Sequence, residues 1–437
     1  MKAKYVTIGY SAAAIGMIEA VRLFDKKGKI LAVTKEPYPA YGRPAIVDYA
    51  MGKIDDNGIF YKGEGYSKMR SVDMICGNGV DKIDSKAKKI TLSDGKSIEY
   101  EKLMIATGGK PISPPIPGKE LKGVMHFFNL DEAKAMVREV KEGGARRAVV
   151  IGGGLIGLKA TEALCSLGVK VTMVELADNI LSRSLDPVSI GLMSDKMRHG
   201  GVDIFTSTTV EEIIGDDRVR KVRLSNGSEI ETDLVYIAIG VSPDVSLCGP
   251  SGIKNERGII VNRRLETNVV DIYAAGDVAK GYNFVSCEDM VIAIWPVARK
   301  MGHFVGLNML GKDAEYDGGM PMNSLYFEDL YTISYGISNP DNPDGYEIIE
   351  KLWDDGITYR RFVIKDDKLV GAVYVNDITR AGVARGIIYE GLSVAPFKEK
   401  LLRDDFSFVH LQDDYRRKVY TKPWTELEAK LLCMNQA

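Results

Sequence analysis

Two stretches of the chain share one rhythm of apolar and polar positions. Tyr5-Val6-Thr7-Ile8 and Ala148-Val149-Val150-Ile151 are short apolar runs rich in β-branched residues. Each runs into a turn of small residues, Gly9-Tyr10-Ser11-Ala12-Ala13-Ala14 in one case and Gly152-Gly153-Gly154-Leu155-Ile156-Gly157 in the other. Helix-like stretches follow over 15–24 and 158–167. Further apolar strands come next, Ile30-Leu31-Ala32-Val33 and Val169-Lys170-Val171-Thr172-Met173-Val174. Apolar runs this short, bounded by glycine and followed by helix periodicity, predict a β-α-β unit. The unit is used twice, and two dinucleotide sites in one chain is its simplest reading.

The intervening sequence reads as hairpins. Lys89-Ile90-Thr91-Leu92 and Ser97-Ile98-Glu99-Tyr100 flank Ser93-Asp94-Gly95, and Val222-Arg223-Leu224 and Glu229-Ile230-Glu231 flank Ser225-Asn226-Gly227. Pro111-Ile112-Ser113-Pro114-Pro115-Ile116-Pro117-Gly118 reads as a domain boundary. After about residue 312 the pattern changes to strands such as Leu369-Val370-Gly371-Ala372-Val373-Tyr374-Val375, then an amphipathic tail. The expectation is an α/β protein with two three-layer Rossmann-like domains and a C-terminal α+β domain. The boundaries are 1–112 with 241–312, then 113–240, then 313–437 with its tail.

The second turn carries the more specific chemistry. In Gly152-x-Gly154-x-x-Gly157 the first glycine permits the tight turn. The second lets backbone reach a pyrophosphate, and the third lets helix and strand approach. The helix start, at Leu155 and Ile156, offers free N–H groups and partial positive charge to phosphate. Glu175 ends the next strand, 175 − 154 = 21 residues after the second glycine, near the roughly 20 expected of an acid that binds ribose hydroxyls. A carboxylate there repels a 2′-phosphate, and Leu176 and Ala177 supply no cation, so NAD(H) is preferred to its phosphorylated form. In the first turn Ser11 stands at the second glycine position and Ala14 at the third. Glu36 is its candidate ribose acid, with Thr34 as the competing position.

Composition narrows the function classes. Apolar residues make up 45% and charged residues 27% of the 437 residues, and the net charge is −2. Nothing there attracts nucleic acid or an anionic membrane. The apolar runs are too short to cross a bilayer and the N-terminus lacks the shape of a signal peptide, so a cytoplasmic protein is expected. Cys76, Cys165, Cys248, Cys287 and Cys433 include no C-x-x-C pair, which argues against a redox dithiol or an iron–sulfur or zinc site in this chain. His126, His199, His303 and His410 show no ligand spacing, and no metal is expected.

With both turns in view, the chain resembles the pyridine nucleotide–disulfide oxidoreductase superfamily of FAD/NAD-binding reductases. It is most similar to the branch holding rubredoxin and ferredoxin reductases, NADH oxidases and FAD subunits of multi-subunit oxidoreductases. The resemblance rests on the two turns together with Ala106-Thr107-Gly108-Gly109, Ala238-Ile239-Gly240, and the block from Thr267 to Asp277 that ends Ala274-Ala275-Gly276-Asp277. It implies FAD at the first turn (Gly9, Ser11, Ala12, Ala14) and NAD(H) at the second, with Asp277 on the ribityl or phosphate part of the flavin. Arg43 and Pro44, in Tyr41-Gly42-Arg43-Pro44, match a further FAD-binding segment, where Arg43 is either a phosphate ligand or a surface arginine. Trp295 and Pro296 match the start of a helix under the flavin ring, where Trp295 lies against the ring or is a core residue.

Three departures bear on function. Pro44 stands where many relatives carry a redox cysteine, and proline supports no sulfenate or persulfide. Lys159 occupies the position of a family glutamate and Asp48 that of its lysine partner, which suggests an Asp48–Lys159 pair with its charges exchanged, near the hydride-transfer face. Ser242 and Asp244 replace an arginine and an asparagine beyond Gly240. The first reading is therefore an electron-transfer subunit that exchanges hydride with NAD(H) and single electrons with an iron–sulfur partner. The segment 412–437, with Pro423 and Trp424, either docks that partner or caps the third domain, and the C-terminal domain is a candidate homo-oligomer interface. A self-contained NADH oxidase and a non-catalytic redox-sensing scaffold are the alternatives.

Overall fold

In a computed structural model, five strands line up in parallel, the central ones buried on both faces. Ile30–Thr34 lies beside Lys2–Ile8 in the register Ile8↔Val33, and Ser97–Ile105 lies on the other side with Ile8↔Ile105. Val72–Cys76 extends one edge. Ile272–Ala274 joins Ser97–Ile105 from far along the chain. Strands buried on both faces need helices on both sides, and the near-complete burial of Val6, Ile30, Leu31 and Leu103 reflects this. The hairpin Lys89–Leu92 to Ser97–Ile105 forms with Lys89↔Glu99, as its Asp-Gly turn predicts. The structure describes residues 1–63, 65–411, 413, 415 and 416. Cys433 and most of the 412–437 segment lie outside them.

The second β-α-β unit builds a similar sheet. Its order is Asp203–Phe205, Lys170–Val174, Arg147–Ile151, Leu234–Ile237 and Val124–Met125, all parallel. The predicted Ser-Asn-Gly hairpin pairs Arg223 with Glu229 in a separate three-stranded sheet. The proline-rich segment starts from Gly109–Pro111, which pairs antiparallel with Val241–Pro243. Two chain crossings are thereby tied side by side.

One helix crossing fixes the first sheet's cover. Ala12–Phe24 and Trp295–Met309 approach backbone to backbone. A Cβ on Gly16 would collide with the Arg299 carbonyl, and one on Gly302 with the carbonyl of Ala13. Small residues allow this approach and larger ones would force the helices apart.

The chain divides into two units, Met1–Ser182 with Met193–Met320, and Arg183–Leu192 with Pro321–Ala437. Residues 313–320, expected to belong to the third domain, cluster with the first unit. Asn308 explains this by donating to the Ala314 carbonyl at 2.8 Å, and Lys300 does so by donating to the Gly318 carbonyl at 2.9 Å. The second unit is α+β. Its five antiparallel strands run Met322–Phe327, Leu330–Gly336, Lys368–Val375, Tyr359–Lys365 and Glu347–Leu352, with the helix Ala381–Glu390 on Lys368–Val375. No helix among the described residues is long and apolar enough to cross a membrane, and those residues hold no group of three potential metal ligands.

Candidate functional site

The two glycine turns superimpose in their local logic. Gly9 has φ +106° and Gly152 φ +107°, in the left-handed region that a side chain rarely adopts. Each is pinned on both sides. Gly9 N donates to the Val33 carbonyl at 2.8 Å while Ala106 N donates to that of Ile8 at 2.8 Å. Gly152 N donates to the Val174 carbonyl at 2.8 Å while Ala238 N donates to that of Ile151 at 2.7 Å. Behind Gly9 stands the Ala106 carbonyl and behind Gly152 the Ala238 carbonyl, each too close to admit a Cβ. The blocks Ala106-Thr107-Gly108 and Ala238-Ile239-Gly240 therefore form the rear wall of the two turns.

A helix starts at each turn without a side-chain cap. Ser11 precedes Ala12–Phe24 and Gly154 precedes Leu155–Ser166; the Ser11 side chain takes no helix N–H, Gly154 has none to offer, and no acid lies in either first turn. The initial N–H groups of an α-helix lack partners within it, so both starts suit an anion. A Cβ on Gly154 would meet nothing within 4 Å, whereas one on Gly157 would collide with the Gly152 carbonyl. The second glycine thus leaves open space and the third permits contact. At the first turn Ala14 is fully buried, so the structure there accommodates one methyl group.

The strand-end acids are held differently. Glu175 turns back under its own glycine turn, its Oε2 accepting from Gly153 N at 2.5 Å and its Oε1 from Ala177 N at 2.7 Å. Glu36 accepts instead from side chains, namely Arg43 Nη2 and the Tyr41 hydroxyl. Thr34, the competing position, accepts from Glu36 N at 3.2 Å and so helps turn the chain. Arg43 also donates to the Phe128 carbonyl at 3.2 Å and lies over the Phe128 ring at 4.9 Å. Burial pushes the carboxyl of Asp277 up from its ordinary range, and the positive charge of Arg43 opposes that shift. Glu36 and Arg43 lie seven residues apart, and with Asp277 from far along the chain they form one charged group. Tyr41 is the member that sequence reasoning left out, because nothing in the sequence places its hydroxyl against Glu36.

Lys159 and Asp48 lie on helices that touch, Leu155–Ser166 and Ile46–Ala50. Lys159 Nζ donates to Glu162 Oε2 at 2.8 Å, and Asp48 faces Lys53 at 4.0 Å. Glu162 is buried, one turn beyond Lys159, and its Oε1 has no hydrogen-bond partner. It is a second carboxylate that the sequence comparison of Lys159 with a family glutamate did not weigh. Trp295 opens its helix with Pro296 behind it, tilts against Tyr61 at 5.6 Å, and keeps a buried, unpartnered Nε1–H. Beyond Gly240, Asp244 joins the rear wall through its backbone. Its N–H donates to the Gly108 carbonyl at 2.9 Å and its carbonyl accepts from the Thr107 hydroxyl at 2.8 Å.

Residues 3–302 match the family described as pyridine nucleotide-disulphide oxidoreductase, and residues 321–391 match the rubredoxin NAD+ reductase C-terminal domain. The chain is 29% identical over 403 residues to the NADH-dependent phenylglyoxylate dehydrogenase subunit epsilon of Aromatoleum evansii, covering 91% of this chain and 94% of that one. It is 31% identical to an NADH oxidase of Methanocaldococcus jannaschii over 71% of each. A ferredoxin reductase for the CYP199A2 system from Rhodopseudomonas palustris has a similar structure, with a TM-score of 0.81, 26% identity, and coverage of 90% and 95%.

Proposed function

The chain belongs to the pyridine nucleotide-disulphide oxidoreductase family, and on that premise we propose that it is the electron-transfer subunit of a multi-subunit oxidoreductase. It uses FAD and NAD(H), and an iron–sulfur protein is its electron partner. The observation that carries the reading is the pair of pinned glycine turns, each opening an uncapped helix in one unit. The extent of the likeness to an epsilon subunit of an NADH-dependent dehydrogenase supports it. So does Pro44, which leaves no thiol at the position where a cysteine-based mechanism would need one.

The donors at both turns fit a dinucleotide. At the second turn Gly152, Gly154, Leu155, Ile156 and Gly157 seat the NAD(H) pyrophosphate, with Gly240 behind them. Glu175 receives the ribose hydroxyls and disfavours a 2′-phosphate. At the first turn Gly9, Ser11, Ala12 and Ala14 seat the FAD pyrophosphate with help from Arg43, followed in the chain by Pro44. Glu36 takes the adenosine ribose. Ala106, Thr107 and Gly108 back the turn, while Gly276 and Asp277 approach the ribityl and phosphate part. Trp295 and Pro296 bring an uncapped helix start toward the flavin ring. Lys159, with Asp48 and Glu162, supplies fixed charge near the nicotinamide. Bound FAD supplies exchange of a hydride with the nicotinamide and of electrons one at a time with a second centre; the side chains bind, orient and exclude water.

We assign FAD binding to 1–112 with 241–320, NAD binding to 113–240, and an interface role, which also offers a surface for self-association, to the domain from residue 321 onward. We place the protein in the cytoplasm, with its nicotinamide pool. The test is anaerobic titration of the purified chain with NADH while the flavin spectrum is recorded. Rapid bleaching, with reoxidation by a co-purifying iron–sulfur protein and slow reoxidation by oxygen, is expected. Fast, sustained oxygen consumption by the chain alone would favour a self-contained oxidase. An unbleached flavin would favour a redox-sensing scaffold.

A further inference from the structure

We infer that Tyr41 is a positioning residue for the adenosine half of FAD, holding Glu36 in place from the start of the helix Leu130–Lys141. The inference rests on the reading of Glu36 as the ribose acid. Tyr41 is 5% exposed, and its hydroxyl is used twice. It donates to Glu36 Oε2 at 2.5 Å and accepts from Leu130 N at 3.2 Å. Leu130 N is one of the N–H groups that a helix start leaves without an internal partner.

The anchor is itself well fixed. Asn129 and Glu132 form a reciprocal capping box, in which Asn129 Oδ1 accepts from Glu132 N at 2.9 Å and Glu132 Oε2 accepts from Asn129 N at 3.1 Å. Just before it, His126 Nδ1 lies 2.8 Å from the carbonyl of Ile237, the last residue of a strand in the second sheet. The Glu36 carboxylate is thereby referenced, through one hydroxyl, to the segment that enters the NAD-binding sheet.

Arg43 shows why a second donor matters. Its guanidinium is the other side-chain donor to Glu36 and also the cation nearest Asp277 in effect. If it must also take a pyrophosphate, it serves several anions with one charge. A tyrosine hydroxyl on Oε2 keeps Glu36 oriented when Arg43 turns toward phosphate. It adds no charge that would compete for that phosphate. The neutral donor and the shared cation thus divide the adenosine ribose from the diphosphate.

The test is Tyr41→Phe in the full-length chain, with flavin removed and rebound. The ring's edge contact with Tyr38 and its place beneath Arg43 need no hydroxyl, so the variant isolates one atom. The expected result is FAD binding weakened about tenfold, the low end for a hydrogen bond to a charged group because Arg43 still holds Glu36. FMN, which lacks the adenosine, should bind as in the wild type, while the thermal midpoint of the flavin-free protein should fall somewhat because Leu130 N loses its acceptor; the FAD-to-FMN difference is therefore the deciding readout. Equal weakening of FAD and FMN, or no change in either, would overturn the inference while leaving the FAD reading intact. A wild-type chain that binds no FAD would overturn both.

Discussion

Gly157 stands directly against Gly152. A single Cβ added to Gly157 would run into the Gly152 carbonyl oxygen, and Gly152 is itself locked at φ +107°. The contact fixes how far the helix Leu155–Ser166 sits from the strand Arg147–Ile151. Since the helix start is the seat proposed for pyrophosphate, the same contact fixes the phosphate position.

Gly157→Ala should therefore act through nucleotide binding as well as stability. We expect about 1–3 kcal/mol of destabilisation from overpacking, read by denaturant unfolding. A rise of at least about tenfold in the KM for NADH should accompany it, since small misplacements in a positioned site are costly. The first turn, which already holds Ala14, should tolerate Ala14→Gly with only the roughly 0.5–1 kcal/mol lost to helix glycine.

Glu175→Gln tests nicotinamide choice. The substitution keeps the shape but removes the charge that repels a 2′-phosphate. The NADH-over-NADPH ratio of kcat/KM should fall about tenfold, equivalent to about 1.4 kcal/mol. An unchanged ratio would mean that Glu175 acts only through its bonds to Gly153 N and Ala177 N.

Lys159 and Glu162 should show strong coupling. Lys159→Met strands a carboxylate that is 6% exposed. The cost expected is roughly 3 kcal/mol, the lower end for stranding a buried charge, because Lys159 is itself partly exposed. Glu162→Gln alone should cost less, and the double variant should recover stability relative to Lys159→Met. A double-mutant cycle in urea measures this, and additive effects would refute the coupling.

Asp25 sets part of the acid limit of the fold. Lys4 Nζ at 2.8 Å and Gly28 N at 2.6 Å hold its carboxyl well below the usual carboxylate range. A carboxyl lowered in the folded state adds stability that is fully present above its unfolded value, about 3.9. That stability is lost as pH falls through the folded value. Thermal midpoints should thus decline below about pH 4, and Asp25→Asn should flatten that decline while lowering stability at neutral pH.

Much of this was written in local order. The β-branched runs, glycine turns and Asp-Gly and Asn-Gly hairpins are short-range signals, and each formed the element its sequence predicted. The strand-end acid Glu175 could be found by counting from Gly154. The charged group around Glu36 could be found only in part. Arg43 and Asp277 stood out by likeness to a family, but nothing marked a role for the Tyr41 hydroxyl in the same segment as Arg43, because a hydroxyl's partner is chosen by the fold. Glu162 was hidden for the same reason: its burial beside Lys159 depends on which helix face meets the strands.

What the sequence determined by itself was the repeated β-α-β unit and the two small-residue turns that open its helices, since these depend on residues within about a dozen positions of one another. The backbone-to-backbone crossing of Ala12–Phe24 with Trp295–Met309 was decided only by tertiary structure, as was the placing of residues 313–320 with the first unit. So was the bridge from Glu36 through Tyr41 to Leu130 N. The crossing and the bridge join groups separated by long stretches of chain, and a close approach between such groups is set by packing, which the local pattern of apolar and polar residues does not encode.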